Sequence, residues 1–198
     1  MTGPLPLLRD ADFRGLLAGT AFNQQGMTGE QVVIGLLVLQ LTHSTAWVGI
    51  TLAVYFVPFF VFGLVSGAVA DLIDRRTLLK GIELCIATNL LLFALCLWLG
   101  VATLGLIIAF TLVSGSLRAL HQPGRIGYAY DIVGPQHAVV GIGLVNLAAR
   151  TGQLFGALAA GTITDHFGAP IDLVVVAGGQ GMAFVMFSRL KAEGGRCR

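Results

Sequence analysis

Charge is what this chain has least of. Acidic and basic residues make up 11% of its 198 residues, hydrophobic ones 56%, and the mean hydropathy is +0.84. A soluble domain is about a quarter charged. A soluble fold of this length has too little interior to hide so much apolar surface, so lipid is its natural solvent. The formal net charge is only +2, and no basic patch is interleaved with aromatics, so nucleic acid is not an expected partner. Cysteine is equally sparse. Cys85, Cys96 and Cys197 have no metal-ligand spacing, and the first two sit in apolar runs as small hydrophobes. His43, His121, His137 and His166 fall in or near expected loops with no ligand geometry. No cofactor and no metal are expected.

What is present is a series of long apolar runs. Cut at charges and turn residues, the chain gives six: Phe13 to Leu41, Ala46 to Ala70, Leu78 to Leu99, Ala102 to Leu120, Ala138 to Ile163 and Pro170 to Phe187. Each is about 18 residues or longer, enough for a helix to cross roughly 30 Å of hydrocarbon. The expected fold is all-α and polytopic. Residues 1–190 form a six-helix transmembrane bundle and residues 191–198 a polar cytoplasmic tail. The first run is too long for a signal peptide, carries Asn23, Gln24, Gln25 and Glu30, and has no basic stretch before it.

Lysine and arginine set the orientation. The start of the first segment has Arg9 and Arg14, the 2–3 loop Arg75, Arg76 and Lys80, the 4–5 region Arg118 and Arg125, and the tail Arg189, Lys191, Arg196 and Arg198. The intervening loops "THSTA", "GVAT" and "TDHFGAPID" have none. Basic residues favour the cytoplasmic side, so both termini are expected there, in a plasma or inner cell membrane. Arg150 alone breaks the pattern, in the middle of the fifth segment.

The 2–3 loop, "GAVADLIDRRTLLKG", packs Asp71, Asp74, Arg75, Arg76 and Lys80 between two apolar runs. A bland topogenic loop accounts for the basic residues. It does not account for Gly67, one turn before Asp71 on the same face, where a glycine lets another backbone approach. The pattern Gly67, Ala70, Asp71, Arg75, Arg76 and Leu79 resembles the 2–3 loop signature of the major facilitator superfamily. "LVLQLTHS", "HQPGRIGYAYDIVGPQH" and "NLAARTGQLFGALAAG" are similar to stretches of its drug- and siderophore-exporter branch, the last with Gly152, Gly156 and Gly161 in the helix 5 pattern. The resemblance implies a transporter, with a conformational latch at Gly67, Asp71, Arg75 and Arg76. It also implies twelve helices, of which these six would be the amino-terminal half. The stretch "GAVADLID" recurs as "GTITDHFG" 94 residues later, as two inverted three-helix repeats would give.

Polar residues inside the runs are the candidate pathway. In the fifth segment Asn146, Arg150, Gln153, Ala157, Gly161 and Thr164 share one helix face, beside a ridge of Ala148, Gly152, Gly156 and Ala160. In the first, Asn23, Gln24, Met27, Glu30 and Gln31 fall within an arc of about 120°. Polar stripes in lipid face the protein interior or a water-filled cavity. Glu30 and Arg150 are the two charges near mid-membrane, and an unpaired charge there costs at least about 2.5–3.5 kcal/mol. Three readings stand: a structural ion bridge between them, a substrate site, or a coupling proton on Glu30. Arg118 is expected to snorkel to the interface, Glu83 to pair with Lys80 at headgroup depth, Asp131 to sit in a loop or cap, and Pro58 to kink helix 2.

The expected function is membrane transport of small amphipathic molecules, by proton-coupled export. The bilayer, protons, and either a second six-helix half or self-association are the expected partners. Six helices give one wall of a cavity, so the chain alone is not expected to transport. A non-transporting or truncated six-helix subunit is the alternative. An intramembrane serine protease would need a glycine-rich serine motif. "VSGSLRALH", with Ser114, Ser116 and His121, does not supply one, so no enzyme is expected.

Overall fold

The structure, a computed structural model, describes residues 7–72 and 75–189, without the side chains of residues 63–72, 75 and 76. A 3-10 turn, Leu7–Arg9, leads into α1 (Ala11–Thr42), α2 (Thr45–Leu72), α3 (Arg75–Trp98), α4 (Leu104–Val133), α5 (Ala138–Phe167) and α6 (Ala169–Ser188). The caps follow local chemistry. The Asp10 carboxylate accepts from the Asp12 backbone N–H at 2.9 Å to start α1. Thr103 does the same for α4 through Leu106 N–H at 3.3 Å. Gly100, Gly134 and Gly168 take positive φ at three of the connections.

Two sequence expectations change. The fourth segment does not stop at Leu120: α4 runs on through Pro123 and Gly124 to Val133. His121 is therefore helical and buried, and Asp131 lies exposed in the last turn of α4 rather than in a loop. Secondly, among the described residues only α2 to α6 are long and apolar enough to cross a membrane by composition. The 32-residue α1 has the length, but its amides and Glu30 lower its hydropathy. The bundle itself receives those groups: Asn23, Gln24 and Glu30 are all buried.

The packing follows a two-fold pattern. The most extensive pairing is α1 with α5, followed by α3 with α6, α1 with α6, α2 with α4 and α3 with α4. Exchanging the first three helices for the last three leaves this set unchanged, as inverted repeats require. Glycines set the closest approaches. A Cβ on Gly152 or Gly156 of α5 would strike the backbone carbonyls of Ala21 or Gln25 in α1, and one on Gly115 of α4 would strike that of Tyr55 in α2. The ridge read from the sequence is thus the α1–α5 seam, and Leu147, Leu154, Phe155 and Leu158 point outward, each more than 60% exposed. Between α1, α3, α4 and α6 lies an apolar core of Val33, Ile34, Ile86, Leu90, Phe93, Ile107 and Leu173. Close packing of such side chains, rather than exclusion of water, holds helices together in lipid.

The latch residues Gly67, Asp71, Arg75 and Arg76 lie outside the described side chains, and Asp74 and residues 190–198 outside the described residues. The second copy of the repeat closes α5. There Asp165 and His166 are exposed and 3.5 Å apart.

Candidate functional site

The helices bring a set of buried polar side chains to one junction. Glu30 of α1 is 1% exposed and its Oε2 lies 2.9 Å from Arg118 Nη2 of α4. This is the pair that forms, in place of Glu30 with Arg150. Arg118 is 3% exposed, in the middle of α4, and does not snorkel. Tyr55 of α2, fully buried, lies beside both Arg118 and Glu30.

Glu83 of α3 is wholly buried as well, and among the described residues its partners are others than the expected Lys80. Its Oε1 accepts from Asn23 Nδ2 of α1 at 2.6 Å. The Gln180 amide of α6 is oriented by its neighbours: its nitrogen donates to Glu83 Oε2 at 2.6 Å and its oxygen accepts from Arg118 Nη2 at 2.8 Å. His121, one turn beyond Arg118 on α4, places Nε2 3.0 Å from Glu83 Oε1, an ion-pair distance without hydrogen-bond alignment. Two carboxylates, one guanidinium, one imidazole and two amides therefore share one dry space. Every buried charge there has a partner of opposite sign or a donor, which such burial demands. One turn before Arg118, Ser114 Oγ accepts from Asn89 Nδ2 of α3 at 2.9 Å, so this serine joins α3 to α4.

A sequence signal for this site existed. Thr111, Ser114, Arg118, His121 and Arg125 follow one another at steps of three and four, which is one face of α4. All five are buried. The same test that exposed the stripes of α1 and α5 finds this one once α4 is allowed to continue past Leu120.

The α5 stripe lies elsewhere. Arg150 is exposed and donates to Gln153 Oε1 at 3.0 Å. Gln153 in turn donates to Gln24 Oε1 of α1 at 3.4 Å, and Asn146 is exposed. Gln31 is half-buried on α1. Thr164 turns inward and donates to Asp172 Oδ2 at 2.6 Å, joining the end of α5 to the start of α6.

Directly behind the junction is an open cavity of about 450 Å³, lined by Gln24, Met27, Phe56, Phe59, Phe60, Gln122 and Gln153. Its place is fixed by adjacent residues. On α1, Asn23 turns into the junction and Gln24 into the cavity. On α4, His121 and Gln122 divide in the same way. Phenylalanines supply flat apolar contact, and the amides can donate and accept.

No curated protein matches the chain. A family model described as transmembrane secretion effector, within the major facilitator superfamily, matches residues 2–186. An all-helical bundle with five apolar spans, a buried ionic junction and a match over nearly its whole length lead to one conclusion: this chain belongs to the transmembrane secretion effector family of the major facilitator superfamily, a family of membrane transporters.

Proposed function

We propose that the protein exports small amphipathic molecules in exchange for protons. One observation carries the reading: a buried cluster of titratable groups stands directly behind a cavity walled by aromatic rings and amides. The cavity suits a molecule with an apolar, ring-bearing body and a polar edge. The cluster suits a proton, because adding or removing one charge in a dry site changes its energy by kilocalories and so can bias one conformation over another. Glu30, Asn23, Gln31, Asn146, Arg150 and Gln153 are proposed as pathway residues, with Glu30 acting through Arg118. Gly67, Asp71, Arg75 and Arg76 are proposed as the latch. A second six-helix bundle, or a second copy of the chain, forms the opposite wall and covers the polar face of α5.

Inverted membrane vesicles from cells producing the chain together with a second six-helix half test the reading. With a pH gradient, they are expected to take up an amphipathic fluorescent dye saturably, and a protonophore is expected to abolish the uptake. Dye movement no greater than in vesicles lacking the chain overturns it. Orientation is checked separately. Single cysteines placed in "THSTA", "GVAT" or "HFGAP" are expected to react with an impermeant thiol reagent on intact cells, while cysteines in "RRTLLK" stay unlabelled.

A further inference from the structure

We propose that the coupling proton is held between Glu83 of α3 and His121 of α4, and that Glu30 and Arg118 form the fixed counter-pair beside it. The proposal rests on the proton-coupled reading above and names its site.

The charges in the junction carry the argument. Glu30 and Glu83 bring two negative charges and Arg118 one positive, all three 3% exposed or less. Arg118 sits against Glu30 at 2.9 Å; to Glu83 it is hydrogen-bonded only by way of the Gln180 amide, while its charge also acts on Glu83 through space. Glu83 is then the carboxylate without a guanidinium in direct contact. Its three neighbours are the Asn23 amide, the Gln180 amide and the His121 ring. The amides are neutral, so His121 alone can change the count. A wholly buried carboxylate left with a net negative charge is costly. One proton, on the imidazole or on the carboxyl, brings the junction to neutrality.

The groups facing this pair from every packed helix fit that count. From α1 come Glu30 and Asn23, from α2 Tyr55, from α4 Arg118, and from α6 Gln180. Arg125 lies a further turn along α4. It hydrogen-bonds Gln122 at 3.4 Å and makes no ion pair with either carboxylate.

The pair also lies near the open cavity: His121 precedes Gln122, one of the residues that line it. On departure the junction keeps both carboxylates charged with one guanidinium between them. Arg118 is then drawn toward both at once, and it ties α4 to α1 and α6. Two of these helices, α1 and α4, also wall the cavity.

The test reads the ring directly. The full chain is labelled with ¹⁵N-histidine, held in lipid nanodiscs without substrate or gradient, and titrated from about pH 5 to about pH 9, the range in which imidazoles ordinarily change charge. His121→Gln assigns the signal, since His43, His137 and His166 all lie at helix ends. In the wild type one proton is expected on the His121 ring or, by its infrared carbonyl band, on Glu83 at neutral pH. Glu83→Gln and Glu30→Gln each remove one of the two negative charges, so each is expected to lower the His121 midpoint by about one pH unit or more. Should Glu83→Gln fail to fold, Glu30→Gln carries the same sign. An ionised Glu83 beside a neutral His121 at neutral pH in the wild type overturns the proposal. Where the wild type holds the proton on His121, a folded variant of either carboxylate whose His121 midpoint does not move overturns it as well; where it holds the proton on Glu83, an unmoved midpoint in Glu30→Gln does. No transport is measured here, so dye uptake that ignores the pH gradient would defeat the coupling and leave the proton on the pair measurable.

Discussion

The stripes of α1 and α5 look alike as sequence: amides and one charge spaced at helical intervals inside an apolar run. In the structure they do opposite things. The α1 stripe turns inward, where Glu30 and Asn23 meet partners from α3, α4 and α6. The middle of the α5 stripe turns outward, where Arg150, among the described residues, hydrogen-bonds Gln153 of its own helix. The difference is set by the small residues beside each stripe. Gly152, Gly156 and Ala160 form the flank of α5 that can approach α1 most closely, so that flank becomes the seam and the polar flank is left facing out. A polar stripe alone therefore does not say which way a helix faces; the neighbouring ridge of glycines does.

The largest expected effect comes from breaking the inward stripe. Arg118→Gln strands Glu30 and takes a hydrogen bond from Gln180, and is expected to cost about 3–5 kcal/mol in an unfolding titration in mixed micelles. Glu30→Gln combined with Arg118→Met removes both members of the pair and is expected to recover most of that loss. A double variant no more stable than Arg118→Gln would show that the guanidinium is held chiefly by Glu83 through Gln180.

The seam comes next. Gly156→Leu drives a side chain into the Gln25 carbonyl and is expected to cost about 1–3 kcal/mol. Gly161→Leu, one turn and one residue further along α5, meets nothing within 4 Å and serves as its control. Equal losses at the two positions would contradict the assignment of the seam.

A third loss, of about the same size, is expected at the α5–α6 turn. Thr164→Val takes a hydrogen bond from the buried Asp172, for about 1–3 kcal/mol in the same assay. The smallest belongs to the outward stripe. Arg150→Gln is expected to change stability by about 0.5 kcal/mol or less, as exposed substitutions do. A loss as large as that of Arg118→Gln would mean that Arg150 has an interior partner after all.

Most of the architecture is legible in the chain because apolar length is a strong signal: a run long enough to cross lipid has few other uses. One boundary misled. Pro123 and Gly124 read as a turn, since proline lacks an N–H and glycine is flexible, and helix 4 was expected to end at Leu120. That error moved Arg118 from mid-helix to the interface, which removed it from the list of deep charges and left Arg150 as the apparent partner of Glu30. Tertiary packing overrides the local preference: Gly124 lies against Leu78 and Leu79, and α4 continues. Glu83 was missed for a different reason. Lys80, one turn before it, offers an equally good partner on paper, and only the approach of α1, α4 and α6 shows which way the carboxylate turns.

The ion pair at the centre of the bundle also has a consequence for how the chain is made. Glu30 and Arg118 are 88 residues apart. At a synthesis rate of about 5–20 residues per second, roughly ten seconds pass between the appearance of the carboxylate and that of its counter-ion. During that interval α1, the helix too polar to be recognised as a span by composition, has nothing to neutralise it. Placing that carboxylate in lipid before α4 is made costs about 2.5–3.5 kcal/mol, a cost that the arrival of Arg118 relieves.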